Sequence, residues 1–330
     1  MYMHLAPNIM RFIQLFIIGT ILAAALMGCK EKEAVRTANP IMDGYFADPS
    51  IVLSDGVYYL YATKDPWGGE DLAVFSTTDF VHFTPHTLNW PTKAACTSPE
   101  SNDSKVWAPS VIQGKDGKFY MYVSVGSEVW VGTADAPLGP WRNMKADNAP
   151  LISRNLIPGY HMIDAEAFID DDGQVYLYWG SGLNWVNGGC FAVKLAEDMH
   201  TFMGEPANIT PPDFFEASFM LKKDGMYYLM YSNGKAIDDT YNIRYSKGPT
   251  PLGPWEEGAN SPILSTTQDG TIVGPGHHTV FQKDGQYYIL YHKIFPQQEA
   301  YVLRQLCLDS LNFDADQNIK KVQSNGVLFK

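Results

Sequence analysis

The sequence is poor in cysteine, and this shortage excludes several classes of protein. Its four cysteines, Cys29, Cys96, Cys190 and Cys307, are spread through 330 residues with no paired spacing. That pattern provides neither a zinc motif nor a redox motif, and it excludes a disulfide-dense scaffold. We expect Cys96, Cys190 and Cys307 to be buried as small apolar side chains.

Positive charge is also scarce. The chain has 24 Lys and Arg against 36 Asp and Glu, which gives a formal net charge of −12, and it has no basic cluster. Nucleic acids and anionic polymers attract basic surfaces, so neither is an expected partner. A neutral polymer fits better. Aromatic residues make up 13% of the chain and include eight Trp, whose rings can stack on sugar faces.

One long apolar run lies near the N-terminus. Phe12–Leu26 is too short for a comfortable membrane span and is typical of an export signal. Leu26-Met27-Gly28-Cys29, which follows, resembles a bacterial lipobox. We therefore predict a lipoprotein signal peptide over residues 1–28, lipid-modified Cys29 and a polar tether over residues 29–39. An ordinary signal peptide cut elsewhere is the alternative. The predicted protein is exported and held at a membrane, on the periplasmic or the outer side, by its lipid alone.

A short unit of two strands joined by an Asp-Gly turn recurs along the chain. In the first copy, Tyr45–Tyr61 reads as a β-branched strand, a turn and a strand rich in Tyr. The Asp residues of the turns recur every 52 to 61 residues and are Asp55, Asp116, Asp172, Asp224 and Asp284. Such a period, built only of strands and turns, is typical of propeller blades of about four strands. The predicted fold is all-β, a single-domain five-bladed β-propeller over residues 40–330.

Equivalent residues of different blades face one another at the propeller axis, because the first strand of every blade starts there. Seven or eight residues before each turn stand Asp48, Pro109, Asp164, Glu216 and His277. Three of these five residues are carboxylic acids, which a solvated propeller rim does not require. We predict that Asp48, Asp164 and Glu216 form a catalytic group. Glu166 is a possible alternative to Asp164, which we prefer because its offset from the turn equals that of Glu216.

Three further residues are candidates for the same site. Trp107 stands near the start of blade two and can form a platform for a sugar ring, with core packing between blades as the alternative. Arg304 can hold a carboxylate in its charged form, or it can form a surface ion pair. His277, which glycines precede, can hydrogen-bond the acids, hold a water or an ion, or cap the axial channel.

Five pieces of sequence, in this order and spacing, resemble glycoside hydrolase family 43 along essentially the whole mature chain. They are Asn39-Pro40-Ile41 with Gly44–Ser50, Val106–Ser110, Ile163-Asp164 with Phe168–Gly173, Phe215-Glu216-Ala217, and Gly274–His278. The resemblance implies a five-bladed propeller and an inverting hydrolase that acts on plant polysaccharides containing arabinose or xylose. It also implies that Asp48 is the general base, that Asp164 tunes the pKa and orients, and that Glu216 is the general acid.

The resemblance also bears on binding residues and on cofactors. It implies that Trp107 forms part of the sugar subsite, and we predict Phe46 and Arg304 as further substrate-binding residues. His277 resembles the residue that stands beside an axial metal ion in family members, often calcium. Calcium prefers oxygen ligands, so we expect His277 to act through a water. No cofactor is required for the chemistry, and a structural calcium on the axis is a possible addition.

The sequence departs from the family pattern after two of the acids. Ala165 follows Asp164, and Ala217-Ser218 follows Glu216, where the family often has Pro and Gly-Pro. Family xylosidases frequently carry a second β-sandwich domain, before which this chain ends. We therefore expect an α-L-arabinofuranosidase, with β-xylosidase, endo-arabinanase and exo-galactanase as alternatives.

Two readings from other classes are weaker. A non-catalytic sugar-binding propeller at the cell surface would not need three axial acids. A phosphorylase should have a basic cluster to hold phosphate, and Arg304 alone is thin evidence for one. We expect a monomer whose partner is a plant polysaccharide or oligosaccharide.

Overall fold

The computed structural model describes residues 35–145, 147–296 and 302–329. The predicted signal peptide and the lipid-bearing Cys29 lie outside these residues, so export and anchoring stay predictions. In the described part of the chain, no helix has the length and apolar character needed to cross a membrane.

The chain divides into two compact units. One is Arg36–Val327, which contains the blades. Of the other unit, the structure describes only Val35, Leu328 and Phe329.

The described strands form five successive antiparallel sheets, and these sheets are the predicted blades. Blade one consists of Phe46–Ser54, Val57–Lys64, Ala73–Thr77 and Thr84–His86. Blade two consists of Val106–Gln113, Phe119–Val125, Glu128–Ala134 and Arg142–Asn143. Blade three consists of Glu166–Ile169, Val175–Trp179, Phe191–Leu195 and Ala207–Asn208. Blade four consists of Glu216–Lys223, Met226–Asn233, Asn242–Gly248 and Glu256–Glu257. Blade five has three strands, Gly276–Lys283, Gln286–Ile294 and Arg304–Leu311. The predicted five-bladed β-propeller is confirmed.

Several short elements lie outside the blades. Tyr160–His161 pairs with Ser181–Gly182 in a two-stranded ribbon, and Leu183–Trp185 then forms one turn of 3₁₀ helix. Val35–Arg36 and Leu328–Phe329 are two-residue strands near the ends of the described chain.

The Asp-Gly turns join the first two strands of each blade, as predicted. In three of them both turn residues are left-handed, with φ of 50–52° at Asp and 78–80° at Gly: Asp55-Gly56, Asp224-Gly225 and Asp284-Gly285. This is the type I′ turn that Asp-Gly favours. Blades two and three have longer connections, closed by hydrogen bonds from Gly114 N–H to the Lys118 carbonyl and from Asp170 N–H to the Gln174 carbonyl.

Neighbouring blades pack through buried aromatic and aliphatic side chains. Trp130 belongs to the cluster between blades one and two, and Trp179 to the cluster between blades two and three. Tyr58 of blade one and Phe281 of blade five have ring centroids 5.5 Å apart, and the first strands of these two blades are in contact, which closes the ring. As expected, three cysteines are buried and free of disulfides: Cys96, Cys190 and Cys307.

A hydrogen bond that recurs between blades holds the axial end of the inner strands. One residue per blade, at or just before the inner strand, has a φ between 38° and 58°: Asp48, Ala108, Asp164, Ala217 and His277. In four cases its backbone N–H donates to a side chain of the neighbouring blade. The pairs are Ala108 with Thr63 Oγ1 at 2.8 Å, Asp164 with Ser124 Oγ at 3.1 Å, His277 with Ser232 Oγ at 2.9 Å, and Asp48 with His292 Nδ1 at 3.2 Å. We call the four acceptors the latch residues.

In blade three, glycine stands at the latch position. Within its own blade, a latch residue pairs with the residue that precedes the left-handed one, as Ser232 does with Glu216 and Ser124 with Trp107. Gly180 does the same, because its N–H donates to the carbonyl of Ile163, which precedes left-handed Asp164. Gly180 has a φ of 120°, and a Cβ there would lie 2.3 Å from the Gly189 carbonyl oxygen. Only glycine fits this position.

These conformations correct the predicted repeat position by one residue in two blades. The left-handed residue is Ala108 in blade two and Ala217 in blade four, not Pro109 and Glu216. It precedes the turn Asp by seven residues in blades one, four and five and by eight in blades two and three, where the connections are longer. Glu216 is therefore equivalent to Trp107, one residue before the left-handed position.

Candidate active site

A cavity of about 290 Å³ lies where the axial ends of the inner strands meet, and residues from all five blades line it. The predicted acids Asp48, Asp164 and Glu216 are all in its wall, together with His277. Two of the predicted substrate-binding residues, Trp107 and Arg304, also line the cavity. Phe46 is not in the lining, and its ring packs against Phe75 with centroids 5.2 Å apart.

Asp48 is buried among hydrogen-bond donors and positive charges. Thr63 donates to its Oδ2 at 2.6 Å, and Arg304 Nη1 donates to its Oδ1 at 3.1 Å. His277 Nδ1 lies 3.2 Å from the same Oδ1. Burial by itself would raise the pKa of Asp48, but Arg304 and His277 hold that pKa well below its ordinary value. Asp48 is therefore ionised at neutral pH.

His277 bridges two of the acids. Its Nδ1 also lies 3.7 Å from Asp164 Oδ2. Burial opposes the charge, yet Asp164 and Asp48 raise the pKa of His277 to about 9, so the ring is an imidazolium at neutral pH. Calcium prefers oxygen ligands, so the imidazole of His277 is a poor direct ligand for it. The described residues hold no group of three or more His, Cys, Asp or Glu suited to a metal ion, and axial calcium stays a prediction.

His292 is a neutral latch residue. The Asp48 backbone N–H donates to its Nδ1 at 3.2 Å, and the same Nδ1 lies 3.3 Å from Asp48 Oδ1. Burial lowers the pKa of His292 to about 4, so its ring is neutral at neutral pH. Its ring stacks on Tyr241, with centroids 5.8 Å apart and planes 9° apart.

Glu216 accepts two hydrogen bonds that the sequence analysis did not predict. The Tyr241 hydroxyl donates to Oε1 at 2.7 Å, and the Ser181 hydroxyl donates to Oε2 at 2.9 Å. Tyr241 fits because Gly276 has no side chain, since a Cβ at Gly276 would lie 1.8 Å from the Tyr241 ring.

Asp164 and Glu216 share a raised affinity for protons. Burial raises the pKa of Asp164 to about 8, and it also raises the pKa of Glu216, against the hydrogen bonds from Tyr241 and Ser181. The charge of Glu216 adds to the raised pKa of Asp164, so we assign the proton held at neutral pH to the two carboxyls together. This differs from the simpler expectation in which Asp164 is a fixed negative charge beside a protonated Glu216.

Glu166, the alternative acid of blade three, is not in the cavity lining. It accepts a hydrogen bond from the Ser110 hydroxyl at 2.6 Å, and burial raises its pKa to about 7. The preference for Asp164 over Glu166 as the acid facing the cavity is thus supported by position.

Aromatic rings form much of the remaining wall. Trp67 lies over the Arg304 guanidinium at 4.8 Å, and Trp185 stacks on Phe215 with centroids 5.9 Å apart. Trp107 lies 6.2 Å from the His161 ring. Most of these residues lie in connections between strands, where the repeat carries no signal, so the sequence pattern does not predict them.

A glycoside hydrolase needs one ionised carboxylate and one carboxyl that holds a proton, placed around a sugar-sized cavity. The cavity of this propeller has both, and aromatic rings form part of its wall. Residues 37–319 match the model of glycosyl hydrolases family 43, and the chain belongs to this family. The resemblance seen in the sequence is confirmed, and the protein is a glycosidase.

The chain is similar to known glycosidases whose names give different sugars, and to a solved structure of a family-43 enzyme. The chain is 32% identical over 295 residues to beta-D-galactofuranosidase xynD of Aspergillus niger, covering 84% of this chain and 83% of that protein. It is 27% identical over 334 residues to a xylosidase/arabinosidase of Bacteroides ovatus, covering 84% and 95%. The crystal structure of a thermostable family-43 glycoside hydrolase superposes with a TM-score of 0.71 at 28% identity, covering 88% of this chain and 96% of that one.

Proposed function

We propose that this protein is an inverting, exo-acting α-L-arabinofuranosidase that removes terminal arabinose from plant polysaccharide. The observation that carries the proposal is the pairing of ionised Asp48 with the proton-holding pair Asp164 and Glu216 around one small cavity. Its volume of about 290 Å³ is just below the roughly 300–1,000 Å³ typical of ligand pockets. A pocket of this size suits a terminal sugar better than the middle of a polymer.

The proposed reaction uses both protonation states. Asp48 takes a proton from a water molecule while the oxygen of that water bonds to the anomeric carbon. The bond from that carbon to the leaving oxygen breaks, and Glu216 gives its proton to the leaving oxygen. Asp164 shares the proton of the pair and keeps the pKa of Glu216 high. Inversion requires roughly 6.5–9.5 Å between the base and acid carboxyls, which leaves room for the water.

A β-D-galactofuranosidase is the second candidate. Among the relatives described above, the galactofuranosidase of Aspergillus niger has the higher identity, 32%. Arabinofuranose and galactofuranose share a five-membered ring, and galactofuranose has one more exocyclic carbon. The same acids therefore serve either sugar, and the aromatic wall decides between them.

The test compares three chromogenic glycosides, the α-L-arabinofuranoside, the β-D-galactofuranoside and the β-D-xylopyranoside of 4-nitrophenol, together with arabinan and arabinoxylan. We expect fastest release from the arabinofuranoside and free arabinose from the polymers. Asp48→Asn and Glu216→Gln should each lower kcat by on the order of 10² to 10⁴. Proton NMR of the first product should show inverted anomeric configuration.

Exposed residues of the same types provide matched controls. Asp147→Asn and Glu197→Gln make the same chemical changes at the surface and should leave kcat unchanged. Preference for the galactofuranoside selects the second candidate. Internal oligosaccharides from arabinan, or a product that retains its configuration, would contradict an exo-acting inverting enzyme.

A further inference from the structure

Asp65 lies directly after the strand Val57–Lys64 of blade one, and its side chain is completely buried. It accepts three hydrogen bonds from one residue of blade five. Arg304 Nη2 donates to Oδ1 at 2.6 Å, while Arg304 Nε and the Arg304 backbone N–H donate to Oδ2 at 3.0 Å and 2.7 Å. Two parallel bonds to a guanidinium fix its plane as well as its place.

The same guanidinium reaches Asp48. With Nε and Nη2 bound by Asp65, the remaining Nη1 donates to Asp48 Oδ1 at 3.1 Å. Trp67 covers the face of the guanidinium at 4.8 Å, and the Trp67 backbone N–H in turn donates to Asp65 Oδ1 at 3.2 Å. Arg304 is therefore held along one edge and over one face, and its free edge points at Asp48.

We propose that Asp65 is a positioning residue for the reaction, which acts through Arg304 to orient the carboxylate of Asp48. This inference rests on the proposed function, because it concerns Asp48 as the general base. A guanidinium carries five N–H groups in a rigid plane, so a bidentate partner on one edge decides where the others point. Without Asp65, Arg304 keeps its charge and loses the constraint that directs Nη1.

The expected readout follows from the other groups that face Asp48. His277 and Arg304 are its two cationic neighbours, Thr63 and His292 are hydrogen-bonding neighbours, and two carboxyls act on it through their charge: Asp164 and Glu216. If Arg304 turns away, His277 remains. The ionised form of Asp48 is then stabilised less, and its pKa rises. The acid limb of kcat/KM should therefore move to higher pH, and activity should remain because His277 still stabilises the carboxylate.

The experiment is a double-mutant cycle with Asp65→Asn and Arg304→Lys, with kcat and KM followed from pH 3 to 10. Asn keeps the shape and loses the charge. We expect Asp65→Asn to lower kcat by about 10- to 100-fold, the scale of a misplaced catalytic group, to change KM little and to raise the pH of the acid limb. In the Arg304→Lys background the same change should have almost no further effect, because the residue through which Asp65 acts is already altered.

The controls separate positioning from simple stabilisation. Asp71→Asn is the matched control, since Asp71 follows the same strand and pairs instead with Lys64. It should leave the acid limb in place. Asp65→Glu keeps the charge of the buried pair but lengthens the side chain, so it should fold and still move the acid limb to higher pH.

An unmoved acid limb in soluble Asp65→Asn or Asp65→Glu overturns the inference, even if thermal stability falls. Effects that multiply in the double variant also overturn it, because Asp65 would then act independently of Arg304. A wild-type protein that hydrolyses no tested glycoside contradicts the proposed function before any variant is compared, so the two failures are distinguishable.

Discussion

At the scale of single residues, each acid of the cavity takes its protonation from a different set of neighbours. Asp48 has Arg304 and His277 beside it and is ionised. Burial raises the pKa of Glu216, and its two hydrogen-bond donors among the described residues, Tyr241 and Ser181, are neutral. Neutral donors reduce that shift without reversing it.

Removing either neutral donor should move the alkaline limb of the pH profile. The hydrogen bonds favour ionised Glu216, so Tyr241→Phe or Ser181→Ala raises its pKa further. The proposed general acid works only while protonated, and activity is lost as pH rises through its pKa. We therefore expect the alkaline limb of kcat/KM to shift to higher pH in both variants, measured from pH 5 to 10.

Surface Ser153 supplies the control for this prediction. Ser153→Ala removes an exposed hydroxyl and should leave both limbs in place. An alkaline limb that moves to lower pH in Tyr241→Phe would mean that the hydroxyl stabilises the protonated form of Glu216.

The sequence alone supports the prediction of the acids and of Arg304 and His277 as candidate partners, but not of Tyr241, Ser181 or Asp65. Counting back from the Asp-Gly turns finds Asp48 and Asp164 at equivalent positions, and it finds Glu216 one residue before that position. Tyr241 and Asp65 lie in connections after a strand, where no repeated pattern says which blade they reach. Tyr241 bonds Glu216 of its own blade, and Asp65 bonds Arg304 across the closure between blades one and five. Both contacts depend on the folded arrangement of the connections, which local sequence does not encode.

At the scale of strands, each latch residue accepts a hydrogen bond from a left-handed residue of the neighbouring blade. A left-handed residue interrupts the ladder between the first two strands, and the pairing register shifts there, for example between Ala47 and Ser50. A buried N–H released from a ladder needs another acceptor. In four cases a side chain of the preceding blade supplies that acceptor, so this contact between blades also fixes the residue at the axis.

Ser232→Ala tests one of these hydrogen bonds between blades. The change removes the acceptor of the His277 N–H at 2.9 Å and should lower the free energy of unfolding by about 1–3 kcal/mol, the cost of an unsatisfied buried donor. Because His277 contacts Asp48, kcat should fall as well. Urea unfolding and steady-state kinetics measure the two effects.

Two other substitutions serve as controls for Ser232→Ala. Ser232→Thr keeps the hydroxyl, as Thr63 does in blade one, and should retain most of the stability. Ser153→Ala at the surface should stay within about 0.5 kcal/mol of the wild type. Equal stability of Ser232→Ala and Ser153→Ala would show that the latch contributes nothing.

At the scale of the whole molecule, residues before blade one complete the last blade. Blade five has three strands, and the chain ahead of blade one runs beside the third of them. The Asn39 amide donates to Asp309 Oδ2 at 2.8 Å and accepts the Leu308 N–H at 2.8 Å, and the Ile41 N–H bonds the Leu306 carbonyl. The repeat in the sequence does not predict this asymmetry, because Asn39 and Ile41 precede the first repeat unit and yet contact the last blade.

Asn39→Ala should loosen this closure in a pH-dependent way. It removes a donor to Asp309, whose pKa burial already raises to about 6. A raised folded pKa means that stability is lost as pH rises through it, and loss of the donor raises that pKa further. We expect a lower free energy of unfolding at pH 5 and a larger loss at pH 8, measured by urea unfolding.

The control for the closure is Gln268→Ala, which truncates an exposed amide. Its stability should match the wild type at both pH values. A loss in Asn39→Ala that is equal at pH 5 and pH 8 would show that Asp309 is not involved.

The latch arrangement also has an evolutionary consequence. The neighbouring blade binds the main-chain N–H of the left-handed residue and not its side chain. The hydrogen bond that holds the backbone therefore does not depend on which side chain that residue carries. Acidic, basic and small side chains all occupy the positions held in this way: Asp48, Ala108, Asp164 and His277. Evolution can therefore change the chemical group at the propeller axis without losing the main-chain hydrogen bond that joins two blades.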